Sequence, residues 1–463
     1  MMETLVEPIE SATPILPVNK DDLAVWLENQ SSSVRTWIQK TGFEAKAGAL
    51  CLLPDSDGSI GQILFGVPST LDAWSFASLP SQLPQGTYRL IEERLSPFHQ
   101  TQAAIAWMVA LHRFGRYKTG GKADETPVTR LVWPDGADRA GAESIARAIT
   151  LVRDLINTPA CDLGPEELTK AVRDAVEPFD VSISEIVGDD LVAQNYPMVF
   201  AVGQAASRAP RLIDVRWGDE DAPKVTLVGK GVCFDSGGLD IKPPGNMKIM
   251  KKDMGGAAHT LALAVMIMTA KLPVRLRLLI PAVENAISGN AFRPMDILNS
   301  RKGVTVEIGN TDAEGRLILA DALWEASSEQ PSLLIDCATL TGAARVALGT
   351  ELPALFSNDN VLAADLMRHG TDQGDPVWQL PLWKGYRSML DSKVADLNSA
   401  PDGPYGGAIT AALFLHEFIG DCPSWIHLDM LAWNNTARPG RPEGGEAVTL
   451  RALFALIEER FRR

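Results

Sequence analysis

The chain has 463 residues, enough for two or three domains at about 150 residues each. Apolar residues make up 46% and charged residues 22%, which excludes a largely disordered chain, a collagen-like fibre or a coiled coil. The net charge of −15 disfavours non-specific binding to nucleic acid or anionic lipid, although a local basic patch is compatible with it.

The N-terminal stretch MMETLVEPIESATPILPVNK has three glutamates and no basic segment before an apolar core, so it does not read as a secretory signal. Residues 50–58 (LCLLPDSDG) and 62–69 (QILFGVPS) are expected to form strands joined by an Asp-Gly turn. Residues 97–115 are expected to form a helix, with Pro97 at its start and Gly115 at its end. A Gly/Lys-rich break at 118–127 precedes a short strand at 129–133. Over 139–157, Ile145, Ile149, Leu151, Val152, Leu155 and Ile156 recur at helical spacing, and Thr158-Pro159 stops the helix. These features divide the chain into an N-terminal domain (1–137), a linker helix (138–158) and a larger domain (159–463).

From residue 160 strands and helices alternate. Strands are expected at 224–231, 274–283, 304–310, 332–340 and 424–431, and helices at 165–176, 255–270, 315–328, 407–419 and 446–461. The expected fold is α/β with two domains: a smaller N-terminal α/β domain and a larger C-terminal α/β domain with a mixed, mostly parallel central sheet. The longest apolar run, near 261–270, is about ten residues, whereas a membrane span needs about 20. Cys51, Cys161, Cys233, Cys337 and Cys422 are widely spaced and include no CxxC, so they read as buried free thiols of a reducing compartment. The expected location is the cytoplasm.

In parallel sheets ligands bind beyond the carboxyl ends of the strands, so charges just after the strands matter most. Three segments carry them. Residues 228–244 contain Lys230, Asp235 and Lys242; residues 250–265 contain Asp253; residues 308–323 contain Asp312, Glu314 and Arg316. Taken singly, Asp253 can cap the helix after it, and Thr311 with Glu314 fits a capping box. Taken together, they place carboxylates at three strand-to-helix junctions of one sheet. Asp312 and Glu314 point the same way if their segment is extended. Clustered carboxylates raise one another's pKa, and a pair of divalent cations removes that conflict. The six histidines form no HxxxH, and His427 reads as a core histidine. Oxygen ligands suit Mn²⁺ or Mg²⁺ and are tolerated by Zn²⁺. The residues alone thus point to a two-metal hydrolase.

The segment NTDAEGRL (310–317) resembles the signature of the leucyl aminopeptidase family, the M17 cytosol aminopeptidases. The resemblance extends to residues 153–163, 229–243, 250–258, 336–343, 406–418 and 425–430, and is weak over the first 130 residues. It implies a metal-dependent aminopeptidase that removes the N-terminal residue of peptide substrates, with two Mn²⁺ or Zn²⁺ ions per subunit. Lys230, Asp235, Asp253 and Glu314 match the ligands of the tighter metal site. Asp235, Asp312 and Glu314 match those of the exchangeable one. Lys242 matches the catalytic lysine, and Arg316 the arginine that holds bicarbonate, the general base. Met250, Thr339, Gly342 and Leu431 match the pocket for the first side chain. Leu431 departs from the usual HLDIAG, which has alanine there, and residues 431–450 also differ; both leave the preferred residue open. The resemblance further implies a homohexamer and, as an alternative in some bacterial relatives, an accessory DNA-binding role of the N-terminal region. The charge and the lack of a dense basic run in residues 1–135 weigh against nucleic acid as a partner.

Overall fold

The computed structural model describes residues 4–119 and 129–462. Most of the break expected at 118–127 lies outside them. The chain forms two compact units, residues 1–150 with 436–443, and residues 151–435 with 444–463.

The first unit is built on a six-stranded sheet. In order across it lie Leu5–Val6, Thr129–Val132, Gly86–Leu90, Thr13–Val18, Ile60–Gly66 and Leu50–Pro54. Only the last pair is antiparallel; it is the hairpin expected from the Asp-Gly turn, with Gly58 at φ +85°. Helix Pro97–Leu111 starts where Ser96 Oγ accepts from the His99 amide. It stops four residues before Gly115, because His112 is already extended. Residues 436–443 belong to this unit, and Arg441 there lies over the Trp74 ring.

The division between the units falls within helix Arg139–Asn157. The second unit carries a nine-stranded mixed sheet. Its order is Trp378–Gln379, Ala354–Ser357, Trp425–Asp429, Leu333–Ala338, Lys224–Gly229, Arg275–Asn285, Arg211–Trp217 and Ser182–Val187, and Gly231–Asp235 also pairs with Arg275–Asn285. The central pairs are parallel, and antiparallel pairs occur toward both edges. Alternation along a strand sends neighbouring residues to opposite faces. Val228 packs into the cluster formed by helices Pro197–Gly203, Glu314–Ser328 and Gly407–His416. A Cβ on Gly229, its neighbour, would lie 2.6 Å from the Ala257 Cα of helix Gly255–Thr269. The sheet therefore has helices on both faces.

Several expectations change in detail. The strand expected at 224–231 ends at Gly229, and the chain resumes pairing at Gly231–Asp235 with Lys230 at the step. The stretch expected at 304–310 pairs only over Thr305–Glu307. It belongs to a separate three-stranded sheet with Ile297–Asn299 and Leu397–Asn398, so Asp312 and Glu314 do not follow a strand of the main sheet. The last helix begins at Leu450 rather than 446, because Asp375 accepts from the Thr449 and Arg451 amides and holds Thr449 at φ +59°. Cys51, Cys233, Cys337 and Cys422 are buried as expected, but Cys161 is exposed. No described helix is long and apolar enough to cross a membrane.

Candidate metal centre and active site

Parallel strands place their carboxyl ends side by side, and the charged residues collect there. Lys230 follows strand Lys224–Gly229, and its amide donates to Cys337 O. Asp235 ends strand Gly231–Asp235, and Asn285 ends the neighbouring strand. Thr339 follows Leu333–Ala338. Asp253 sits in the 3₁₀ turn Met250–Met254 that leads into helix Gly255–Thr269. It does not cap that helix. Its Oδ1 accepts from Lys252 Nζ and Thr339 Oγ1, each at 2.8 Å.

Asp312 lies in a 3₁₀ turn, Thr311–Ala313, and Glu314 begins helix Glu314–Ser328. The segment is not extended, so the expected reason for their proximity is wrong; the tight turn brings them together instead. Thr311 is not a helix cap either. Its hydroxyl donates to Gly237 O at 2.6 Å, and its amide donates to Asp240 Oδ2 at 2.7 Å. Asn285 Nδ2 donates to Thr311 O and to Asp235 Oδ1. These bonds clamp the 235–242 loop to the 310–314 turn.

Asp235, Asp312 and Glu314 each present an oxygen within 4.8 Å of the others. Lys242 Nζ lies 2.7 Å from Asp235 Oδ2 and also contacts Asp312 Oδ1. Lys230 Nζ lies 2.7 Å from Asp253 Oδ2 and 3.0 Å from Glu314 Oε1. Lys230, Asp235, Asp253 and Glu314 are all buried. Close packing also explains Gly315: a Cβ there would lie 2.5 Å from Lys230 Cε.

Burial, reinforced by Asp235, pushes Glu314 up to about 8 and Asp312 up to about 6. Burial pulls Lys230 down, but Asp253 and Glu314 outweigh it and hold its pKa well above the ordinary lysine value. A neutral Lys230 therefore needs more positive charge nearby than these residues supply. Burial acts to raise Asp253, but Lys230 and Lys252 outweigh it and hold its pKa well below the ordinary range.

The donor set fits divalent cations. Among the described residues, neither Glu314 oxygen nor Asp253 Oδ2 receives a hydrogen bond, although all three are buried. The short Lys230 contacts to Asp253 Oδ2 and Glu314 Oε1 are ion pairs without hydrogen-bond direction. Such acceptors, costly to leave unmet, suit metal coordination. Arg316 fits an anion: it is buried, its Nη1 donates to Ser399 O at 2.5 Å, and its Nε has no partner among the described residues. Burial lowers its pKa to about 10.

The residues matched to the side-chain pocket are less concentrated. Met250, Thr339 and Leu431 are buried, while Gly342 is exposed at the start of helix Gly342–Leu348. Thr339 is tied to Asp253, and its methyl side faces Gly255 beside Ala432. His427 is a core histidine whose Nδ1 donates to Asp336 Oδ1 at 2.6 Å; its buried Nε2 has no partner among the described residues. The sequence did not reveal Asn285, Asp240, Lys252 or Asp429. Asp429 Oδ1 accepts from the Leu340 and Thr341 amides, and Oδ2 from Thr341 Oγ1 at 2.5 Å, which fixes the loop that carries Thr339. The polar ends of strands Arg275–Asn285 and Trp425–Asp429 were the available signal for Asn285 and Asp429.

Buried carboxylates with unmet oxygens, interleaved with lysines at the carboxyl ends of an α/β sheet, define the class of metal-dependent hydrolases. Residues 150–454 match the cytosol aminopeptidase family, catalytic domain, and residues 13–134 match the M17 aminopeptidase N-terminal domain. A crystal structure of a cytosol aminopeptidase from Coxiella burnetii is 47% identical, covers 99% of this chain and 100% of its own, and superposes with a TM-score of 0.95. A protein named "Probable cytosol aminopeptidase" from Roseiflexus castenholzii is 41% identical over 366 residues, which cover 76% of this chain and 75% of that protein. The bottromycin maturation enzyme BotP, in complex with Mn, is 29% identical with a TM-score of 0.86, over 97% of this chain and 99% of its own. The chain belongs to the cytosol aminopeptidase family, the M17 aminopeptidases. It is a metal-dependent aminopeptidase, a hydrolase of peptides.

Proposed function

We propose that the enzyme removes the N-terminal residue of peptides with two divalent cations, Mn²⁺ or Zn²⁺, held by Lys230, Asp235, Asp253, Asp312 and Glu314. The observation that carries this reading is the convergence of Asp235, Asp312 and Glu314, with neither Glu314 oxygen receiving a hydrogen bond among the described residues. The complex of BotP with Mn supports a cation of this kind. Lys230, Asp235, Asp253 and Glu314 would form the tighter site, and Asp235, Asp312 and Glu314 the exchangeable one. When bound, the cations would anchor the substrate's free α-amine, polarise the scissile carbonyl and supply a water of lowered pKa.

The chain's own groups do the rest. Asn285 and the Gly237 amide hold Asp235 Oδ1, leaving Oδ2 turned to the centre. Lys242, a largely buried neighbour of the carboxylates, donates to the oxyanion of the tetrahedral intermediate. Arg316 has an unmet donor for bicarbonate, which would supply the base that takes a proton from water and returns it to the leaving amine. Lys230 serves as a ligand only as the neutral amine.

Met250, Thr339, Gly342 and Leu431 are assigned to the first side chain. A leucine at 431 adds bulk to that wall relative to alanine. We further propose a cytoplasmic homohexamer that uses no nucleic-acid partner; the net charge of −15 favours the last point. The direct test is hydrolysis of a panel of aminoacyl amides by chelator-treated enzyme, resupplied with Mn²⁺, Zn²⁺, Mg²⁺ or Co²⁺. Activity should vanish on chelation and return best with Mn²⁺ or Zn²⁺. Undiminished turnover after complete metal removal would refute the mechanism.

A further inference from the structure

Asp253 is held asymmetrically. Its Oδ1 takes hydrogen bonds from Lys252 Nζ and Thr339 Oγ1, both at 2.8 Å, whereas Oδ2 takes none. Lys252 is 3% exposed, so its ammonium has been stripped of water to reach that oxygen. Burying an ion pair of this kind seldom adds stability over a neutral pair, so stability alone does not account for it. Nor does the reaction: Lys230 can serve as a neutral ligand and Lys242 faces the reacting centre, but Lys252 meets Asp253 at Oδ1, not at the Oδ2 that Lys230 meets.

We propose that Lys252 is a positioning residue that sets the strength of cation binding at Asp253. Its donor bond reserves Oδ1, so that Asp253 offers only Oδ2. Its ammonium, 2.8 Å from Asp253 Oδ1, opposes incoming cations and loosens the tighter site. The proposal rests on the assignment of Asp253 as a ligand. Before cations bind, Asp235, Asp253, Asp312 and Glu314 face the ammoniums of Lys230, Lys242 and Lys252. With divalent cations held there as well, the ammonium of Lys252 would add a further positive charge beside them. A unit charge a few ångströms from a buried cation changes its affinity by a factor of about ten or more.

The test is calorimetric titration of Mn²⁺ into the chelator-treated full chain at one pH and ionic strength. Wild type is compared with Lys252→Gln, Lys252→Met, Lys252→Arg and Asp253→Asn. Asp253→Asn should weaken or remove one binding step. In that same step Lys252→Gln and Lys252→Met should bind at least about tenfold tighter than wild type, and Lys252→Arg should match it. Lys252→Gln keeps a donor for Oδ1, so it carries the test if Lys252→Met does not fold. Unchanged or weaker binding in the neutral variants, with the step still lost in Asp253→Asn, would overturn the role of Lys252 and leave the ligand assignment standing. Wild-type binding in Asp253→Asn would overturn the assignment itself.

Discussion

Asp235 divides its work between its two oxygens: Oδ1 is fixed by Asn285 and Gly237, and Oδ2 meets Lys242. Lys230, Asp235 and Glu314 were legible because each follows or ends a strand or opens a helix in an α/β pattern. Their supports were not, since Asn285 and Asp429 come from strands far along the chain and act through hydrogen bonds that spacing does not encode. The proposal that Lys230 serves as a ligand came from the family resemblance alone. Replacing Lys242 with alanine should lower kcat by about 10²–10³ with KM little changed, because its donor bond strengthens in the transition state. Steady-state kinetics on an aminoacyl amide would show this; a raised KM at unchanged kcat would instead make Lys242 a substrate-binding group. Asp429→Ala leaves the Leu340 and Thr341 amides and the Thr341 hydroxyl without their acceptor. It should cost about 2–3 kcal/mol in urea unfolding, whereas a loss under about 0.5 kcal/mol would mean that the loop is held by other contacts.

Helix Gly255–Thr269 shows what the pattern of elements reveals and what it hides. Its apolar run announced a helix, and the structure confirms it almost to the residue. The reason for its two leading glycines emerges only from packing: a Cβ on Gly256 would lie 2.0 Å from the carbonyl oxygen of Cys337. Gly256→Ala should therefore push the helix off strand Leu333–Ala338 and cost about 2–3 kcal/mol or more, measured by thermal or urea unfolding. The same helix carries His259, whose Nδ1 donates to Gly255 O at 2.6 Å and whose Nε2 accepts from the Val448 amide at 3.0 Å. Burial holds its pKa below the usual 6.5, despite Asp375 and Glu446 nearby. The unfolded chain then binds the proton more tightly, so this histidine's contribution is present above about pH 6.5 and is lost as pH falls through that value toward the folded pKa. The stability gap between wild type and His259→Leu should narrow from pH 8 to pH 5.5 in urea titrations. A constant gap would mean that His259 does not titrate differently in the two states. The strand expected at 304–310 failed for a physical reason: Asp396 accepts from the Thr305 amide and hydroxyl, which draws that stretch into a small sheet of its own.

Across the whole molecule, the alternation of strands and helices identified an α/β catalytic unit, and the N-terminal hairpin and helix were visible as local patterns. Strands Ser182–Val187, Arg211–Trp217 and Ala354–Ser357 were not anticipated. The first two are amphipathic or charged strands toward one edge, without the continuous apolar run of a central strand, and Ala354–Ser357 is only four residues long. The grouping of residues 436–443 with the first unit had no local signature either. At this scale the hexamer is tested by sedimentation: an assembly of six 50.0-kDa chains is expected, and a species near 50 kDa at micromolar concentration would refute it. The most direct test of the two-cation centre is anomalous diffraction from a crystal of the full chain equilibrated with Mn²⁺. Two peaks are expected, one among Lys230, Asp235, Asp253 and Glu314 and the other among Asp235, Asp312 and Glu314. Peaks that avoid Asp235 and Glu314, or a single peak at saturating Mn²⁺, would contradict it.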